Sequence, residues 1–586
     1  MIVIIRLFVV LTSLVLFVSL SPAQNLSWIL ATGGTGMDHM GDVQYDQNGD
    51  LVAVGHIAGN GADFDLGPDS TIYNSTNSDA FIAKYAFDGT LLWGHVIGGT
   101  NGSEFFNSVT IDSNGDIIVV GGYCCASFDL DPDTSSISLL SNFGNGANLF
   151  VAKFSSLGDL LWNFQIGSNM AYIDGIGTLD EDDNIILTGT FSSTTAGLDM
   201  NPGPGSDPIS SASIHEDVFV AKYSPNGSFL WAFSIGGDQG FERGTGIVTD
   251  DSGKIYVCGI IESEDVDFDP GLGQTILGGS APGPGHMFLG RYSPIGELDW
   301  VFTIGSSTAG TGAYPFGIDL SPSNDVVLTG SVQGTNLDLD PGPDTSIFNG
   351  PSSNSHILIA KYSSNGTYLW HHAFGSTSAV YNDSGNDVNV DQFGIIRATG
   401  FTSSTMDVDP SASNFILTND GIADAFLLEF DGTGQFINAF STSGTDICAG
   451  YNVAVSATSI TMAGDYRGNN FAPDHWNNGM TYDANGIRDI FIATYDNLST
   501  NIGSSENSWI NIYPNPSNHG EPITFDQQSQ EYMVEGVYAI DGRRVIEFHG
   551  IGSPLTISTA NLPRGVYILR TSDKDGEIWN SRFVVQ

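Results

Sequence analysis

The sequence predicts an all-β protein, a ring of seven four-stranded units ended by a small β-sandwich. Three observations predict it. A tryptophan returns at Trp93, Trp162, Trp231, Trp300 and Trp370, at intervals of 69, 69, 69 and 70 residues, each closing a phrase like "VFVAKYSPNGSFLWAFSIGG". Short β-branched and aromatic runs bounded by Gly, Asn, Ser and Asp recur throughout, without helical periodicity. The period breaks after residue 503, where a differently patterned tail begins. A fixed period of this size marks one supersecondary unit repeated side by side, because no single unit can bury its own apolar face.

The chain begins "MIVIIRLFVVLTSLVLFVSLSPA": one early positive charge, Arg6, a long apolar run, and Ser21 and Ala23 at cleavage-site spacing. This reads as a secretory signal peptide over residues 1–23 rather than a membrane anchor, since no stop-transfer charge cluster follows it. No later segment is apolar enough to span a bilayer, so no transmembrane span is expected after cleavage.

The array is expected over residues 24–500. Its second unit shows four strands at 107–112, 116–121, 149–154 and 160–166, the first pair joined by "DSNGD" and the last by a turn ending in Gly158. Equivalent turns carry Gly49, Gly253 and Gly394, and Gly89, Gly227, Gly296, Gly366 and Gly434. Units start near Asp42, Asn107, Asp174, Arg243, Phe316, Asn386 and Tyr451, and four short antiparallel strands at this period suggest propeller blades. The seventh unit stops at "DIFIATYDNLS" without its Trp strand, while "NLSWILATGG" at the mature N-terminus matches "TLLWGHVIGG". The first strand is therefore expected to complete the last blade, closing the ring and removing an exposed sheet edge. The Trp positions read as packing between blades. Lys84, Lys153, Lys222, Arg291 and Lys361 keep the same phase and read as structural partners of local carboxylates.

Charge is extreme. Residues 24–503 hold 56 Asp and Glu against 10 Lys and Arg. Such a surface excludes nucleic acid and disfavours anionic lipid, and it attracts cations. Cys258 sits where other units place Val54, Val120 or Thr188 and reads as core. Spacing leaves open a bridge from Cys448 to Cys124 or Cys125.

The phrase "D-x-x-G-x-hydrophobic-G … A-K-Y-…-G-x-x-x-W" resembles the secreted bacterial β-propeller repeats of SBBP type, across about residues 26–499. Residues 501–509 read as a linker, and 510–586 as a separate module in which alternating apolar runs fit a small Ig-like β-sandwich of about seven strands. Pro514, Asn515 and Pro516, then Asp541, Gly542 and Arg543, and then Leu562 with Gly565, Val566 and Tyr567 resemble the type A C-terminal sorting domain of the type IX secretion system. That resemblance implies a partnership with the type IX machinery, and a protein that is released or held at the outer-membrane surface.

The excursion between strands two and three carries a recurring acidic phrase, "DFDLGPD" at 63–69, "FDLDPD" at 128–133, "VDFDPG" at 266–271, "LDLDPGPD" at 337–344 and "MDVDPS" at 406–411. Two carboxylates on one side of an extended segment, with nearby carbonyls, suit weak Ca²⁺ binding. The candidate ligands are Asp63, Asp65, Asp129, Asp131, Asp267, Asp269, Asp338, Asp340, Asp407 and Asp409. The same residues also suit plain turn-building. The blade-to-blade loops, expected on the same face, carry Phe105, Phe106, Tyr172, Phe241, Tyr314 and Tyr381, which would suit glycan or peptide recognition. No HExxH, P-loop, GxSxG or zinc-type Cys/His spacing is present, and no catalytic residue is assigned. The expected function is a secreted or surface-held binding or adhesion propeller. The alternatives are a propeller-type polysaccharide lyase or glycosidase, and a structural surface-layer component.

Overall fold

The computed structural model describes residues 26–497 apart from 67–69, 100–101, 125–127, 133–138, 141–147, 168–171, 193–196, 212–214, 279–284, 309, 376–381 and 474–479. In the tail it describes 510–513, 522–527, 532–539, 544–547, 555–558, 562, 565–573 and 578–585. Among the described residues the regular structure is β throughout.

Four antiparallel strands form each unit. In the second unit they are Ser103–Ile111, Ile117–Cys124, Asn148–Phe154 and Leu160–Ile166, paired in chain order. The first strands of the others are His39–Tyr45, Tyr172–Leu179, Arg243–Thr249, Gly312–Leu320, Ser384–Val390 and Cys448–Val455. Each first strand packs on the next, and Cys448–Val455 packs back on His39–Tyr45. The fourth strand of the last unit is Leu26–Thr32, which pairs antiparallel with Asp489–Asp496 and sets Leu30 opposite Ile492.

The cores lie between units rather than within them. One joins Ile118, Val120 and Leu149 of the second unit to Ile173, Leu187 and Phe219 of the third. Another joins Ile490, Ile492 and Ala463 of the last unit to Met40, Ala53 and Phe81 of the first. This is why the apolar runs of second and third strands are nearly continuous: both faces of each sheet are covered by neighbours.

Five of the excursions between strands two and three fold into two-stranded ribbons, such as Leu337–Asp338 with Ile347–Phe348 and Met406–Asp407 with Ile416–Leu417. The tail holds a three-stranded sheet of Ile510–Tyr513, Pro522–Gln527 and Leu555–Ser558. A four-stranded sheet orders Arg544–Glu547, Tyr532–Ala539, Gly565–Asp573 and Ile578–Val585. Val537, Leu562 and Leu569 are buried there.

Candidate functional site

The phase-locked residues join one unit to the next. Trp93 Nε1 donates to the Ser156 carbonyl, 3.1 Å away in the following unit, and Trp300 does the same to Ser364. The turn glycine of that following unit lies against the indole. A Cβ added to Gly158, whose φ is +91°, would come within 3.0 Å of the Trp93 ring, so conformation and space both demand glycine. At Lys222, Arg291 and Lys361 the cation beside the Trp completes the joint. Lys222 Nζ lies 2.7 Å from Asp180 Oδ2 in its own first hairpin and donates to the Pro294 carbonyl of the next unit. Lys361 bridges Asp325 and Gly432 in the same way. In the sixth unit the charges trade strands: Glu429 occupies the lysine position, and a fully buried Arg397 reaches it along with Asp391 and Asn497.

The acidic phrases close their own ribbons. Asp338 Oδ1 accepts the N–H groups of Asp340 and Ser346, and Asp340 Oδ1 accepts that of Gly342. Asp267 and Asp407 make the equivalent pair of bonds, to Asp269 and Thr275 and to Asp409 and Phe415. Asp63 repeats it with Asp65 and Thr71, and Asp129 Oδ1 accepts the Asp131 N–H. Asp269 and Asp409 hold Gly271 and Ser411. Among the described residues no three His, Cys, Asp or Glu side chains converge as a metal-ligand set.

The loop aromatics do not act alike. Phe106 is buried in the core between the first two units, so it is not a surface residue; its phase on the strand turns it inward while Phe105 stays half-buried. Phe241 is exposed, with the Arg243 guanidinium 6.0 Å from its ring centre, and Tyr314 is half-buried. The Tyr172 side chain and Tyr381 lie outside the described residues, as do Pro514, Asn515, Pro516, Asp541, Gly542 and Cys125. Gly565 and Tyr567 fall on the strand Gly565–Asp573. Cys258 and Cys448 are buried free thiols, so Cys448 bridges neither Cys124 nor Cys125, and burial raises both thiol pKa values, that of Cys258 to about 12.

A cluster absent from the sequence reading sits where the last unit meets the first. It gathers His39 and His56, Tyr451, Asp465, Arg467 and Arg488, from the strands His39–Tyr45, Leu51–Asp63, Cys448–Val455 and Ser459–Tyr466 and the segments just beyond. Asp465 is its hub. One oxygen lies 2.7 Å from His39 Nδ1 and accepts Arg488 Nη1 at 3.2 Å, and the other accepts the Met40 N–H at 3.0 Å. The Asp465 side chain is 4% exposed and that of His39 is 38% exposed, so the carboxylate is spent internally while the imidazole faces out. Tyr451 meets the His39 ring edge-on at 4.8 Å, and burial pushes its phenol up to about 12 despite the nearby Arg488 and Arg467. His56 lies 5.7 Å from His39 and 6.5 Å from Phe105, and burial with the charges of His39 and Arg488 holds it down to about 4. Arg467 makes no ion pair among the described residues, and its buried Nε has no hydrogen-bond partner. The signal that could have found the cluster was subtractive: Arg467 and Arg488 are basic residues outside the repeating cation position.

Comparison with known proteins places the array and the tail differently. Over 339 residues, half of this chain, it is 26% identical to an uncharacterized WD repeat-containing protein of Acanthamoeba polyphaga mimivirus. It spans about a quarter (24%) of that relative's length. Solved structures that it resembles include an ulvan lyase of polysaccharide lyase family 25, at 11% identity and a TM-score of 0.35 over 74% of this chain and 93% of that one. The endosialidase of phage phi92 superposes at 11% identity and a TM-score of 0.32, over 95% and 87%. Likeness this distant assigns no activity to the chain. The tail is specific: residues 511–586 match the family described as the secretion system C-terminal sorting domain. Among the described residues no helix is long and apolar enough to cross a membrane. The match at 511–586 gives the chain a type IX sorting module and makes it a protein secreted or held at the outer-membrane cell surface.

Proposed function

We propose that this chain is a surface or secreted binding protein. A signal peptide over 1–23 starts its export. A closed seven-bladed β-propeller over 24–500 presents the binding face, and an Ig-like sorting module over 510–586 follows a short linker. The observation that carries the reading is the division of labour among side chains. Residues that repeat from blade to blade are consumed in joints, whereas Phe105, Phe241, Arg243, Tyr314, His39 and Arg488 stay partly exposed at the loop-bearing ends of the strands. Aromatic faces beside charged and polar groups suit a glycan or a protein loop. A glycan array probed with the purified full chain tests this. Saturable binding weakened by Phe241→Ala supports it, and self-association without any saturable ligand would favour a structural surface-layer role.

The His39–Asp465 pair favours a second reading, a polysaccharide lyase or glycosidase. A carboxylate holding one imidazole nitrogen and leaving the other outward is the arrangement that a general base requires. Release of new reducing ends from a polysaccharide panel, lost in His39→Gln, would move the protein into that class. Weak calcium binding at the paired aspartates, Asp338 with Asp340 as the type pair, belongs to the same proposal. Thermal unfolding in chelator and then in millimolar calcium checks it, since a ligand at 100 times its Kd adds about 2.7 kcal/mol. A rise in melting temperature lost in Asp340→Ala supports it; an unchanged melt leaves these residues as ribbon turns.

A further inference from the structure

We propose that Arg467, Arg488 and His39 form a carboxylate-recognition subsite for an acidic saccharide on the loop-bearing face; this rests on the binding reading above. The argument starts from scarcity. The array has ten basic residues, and most are already committed. Lys84, Lys153, Lys222 and Lys361 hold first-hairpin carboxylates, Arg397 holds Asp391 and Glu429, and Arg291 and Lys254 share Asp299. Arg243 pairs with Glu216. Arg467 alone has no ion-pair partner among the described residues, and Arg488 shares its only one, Asp465, with His39. An acidic protein that leaves a guanidinium unmatched beside a second, half-matched one has a local surplus of positive charge. A carboxylate ligand would complete it, since a guanidinium fork matches carboxylate geometry.

The surroundings narrow the ligand. Asp465 accepts the His39 Nδ1–H, which leaves Nε2 as an acceptor for a sugar hydroxyl next to the bound carboxylate. Of the other carboxylates near the cluster, Asp38 accepts the N–H groups of Gly34 and Ala58, Asp489 those of Asn485 and Gly486, and Asp446, beside Gly468, that of Ile447. Tyr451, His56 and Phe105 supply adjoining ring surface, and a neutral His56 adds a face without a charge. Rings flanking a two-pronged cationic clamp fit the apolar face and the carboxylate of a hexuronate better than they fit a flexible acidic side chain. The chain's own negative charge sets the length. Salt screens repulsion only beyond roughly 8 Å, and a long polyanion lying along this acidic surface would bring its further charges within that distance of other carboxylates, so an isolated acidic sugar in a short or mostly neutral glycan is favoured.

The test titrates the full chain with a galacturonate trisaccharide, its methyl ester and a triglutamate peptide, with calorimetric readout and competition. The expected result is saturable binding of the acid, at least tenfold weaker binding of the ester, and at least a tenfold loss in Arg467→Gln. Among the described residues that substitution removes no side-chain hydrogen bond, so an unchanged melting temperature separates lost recognition from lost structure. Equal binding of acid and ester, or an unaffected Arg467→Gln, overturns the subsite. Tighter binding of triglutamate than of the sugar overturns the saccharide assignment in favour of a peptide. Neutral glycans that bind in a Phe241-dependent way while the acid does not would overturn this proposal and keep the loop-face reading. Absence of binding by every probe overturns both.

Discussion

Lys153 shows how much one repeated residue does here. Its ammonium lies 2.5 Å from Asp112 and 3.3 Å from Asp116, with side chains 10%, 1% and 24% exposed. The Asp112 partner holds the hairpin through the N–H groups of Asn114 and Asp116. Removing the cation alone strands a buried carboxylate, so Lys153→Met is expected to cost about 3–5 kcal/mol. Adding Asp112→Asn should recover much of that loss, because asparagine can still accept the turn N–H groups. Chemical denaturation of the two variants checks it, and equal destabilisation would mean the pair acts only through packing. The phase of Trp, Lys and Gly made these roles legible in the sequence, since a residue that returns every 69 or 70 positions must answer a demand made by every unit. Where the phase breaks, the chemistry adapts in ways spacing could not foretell. Asp183 and Asn324 take positive φ where other hairpins use glycine, and Thr461, Thr494 and Tyr45 form a hydroxyl chain where the last unit lacks its lysine.

Among the elements, Leu26–Thr32 was readable because its phrase completed an unfinished one 460-odd residues away. It buries Trp28, Ile29 and Leu30 and covers the edge of Asp489–Asp496. Deleting residues 25–34 is expected to lower the melting temperature by more than 10 °C and to promote self-association through the uncovered edge. Calorimetry and light scattering check it; a monodisperse protein with an unchanged melt would defeat the closing role. The ribbons were half legible. Their Asp-rich composition advertised cation chemistry and turn-building alike, and only the backbone shows one aspartate oxygen serving residues two and eight positions on. The His39 cluster was not legible, because its members come from both ends of the array, and spacing within a repeat says nothing of contacts made across its closure.

For the whole molecule, buried titratable groups set opposing slopes. Burial, aided by mutual repulsion, pushes Asp387 up to about 8 beside Asp42 and Asp319, which burial raises to about 7 and about 6. These groups bind protons in the fold that they release on unfolding above about pH 4, so their stabilisation fades from about pH 4 and is gone once pH has passed their folded values of about 6 to 8. His56 and His371, held down to about 4 chiefly by burial, work the other way: their contribution is present above about pH 6.5 and is lost toward 4. Each group tilts stability by at most about 1.4 kcal/mol per pH unit. Three carboxyl slopes oppose two imidazole slopes between about pH 4 and 6, and only carboxyl slopes remain above about 6.5, so these groups together are expected to lower stability from about pH 4 toward 8. Asp387→Asn should make that decline shallower by about 1.4 kcal/mol per pH unit between about pH 4 and 8, as melting temperatures from pH 4.5 to 9 would show; an unaltered profile would remove Asp387 from the account.

The join of the two ends also imposes an order of events on biogenesis. The first described strand must wait, partnerless, for a strand near the other end of the array; the Ser27–Asp496 hydrogen bond spans 469 residues. Until that late strand emerges the ring cannot latch, and the sorting module follows within 15 residues of it, at 511. Loop closure over such a length adds little free energy but much time. The array thus stays unlatched until its late strand is made and becomes rigid only as the sorting module arrives.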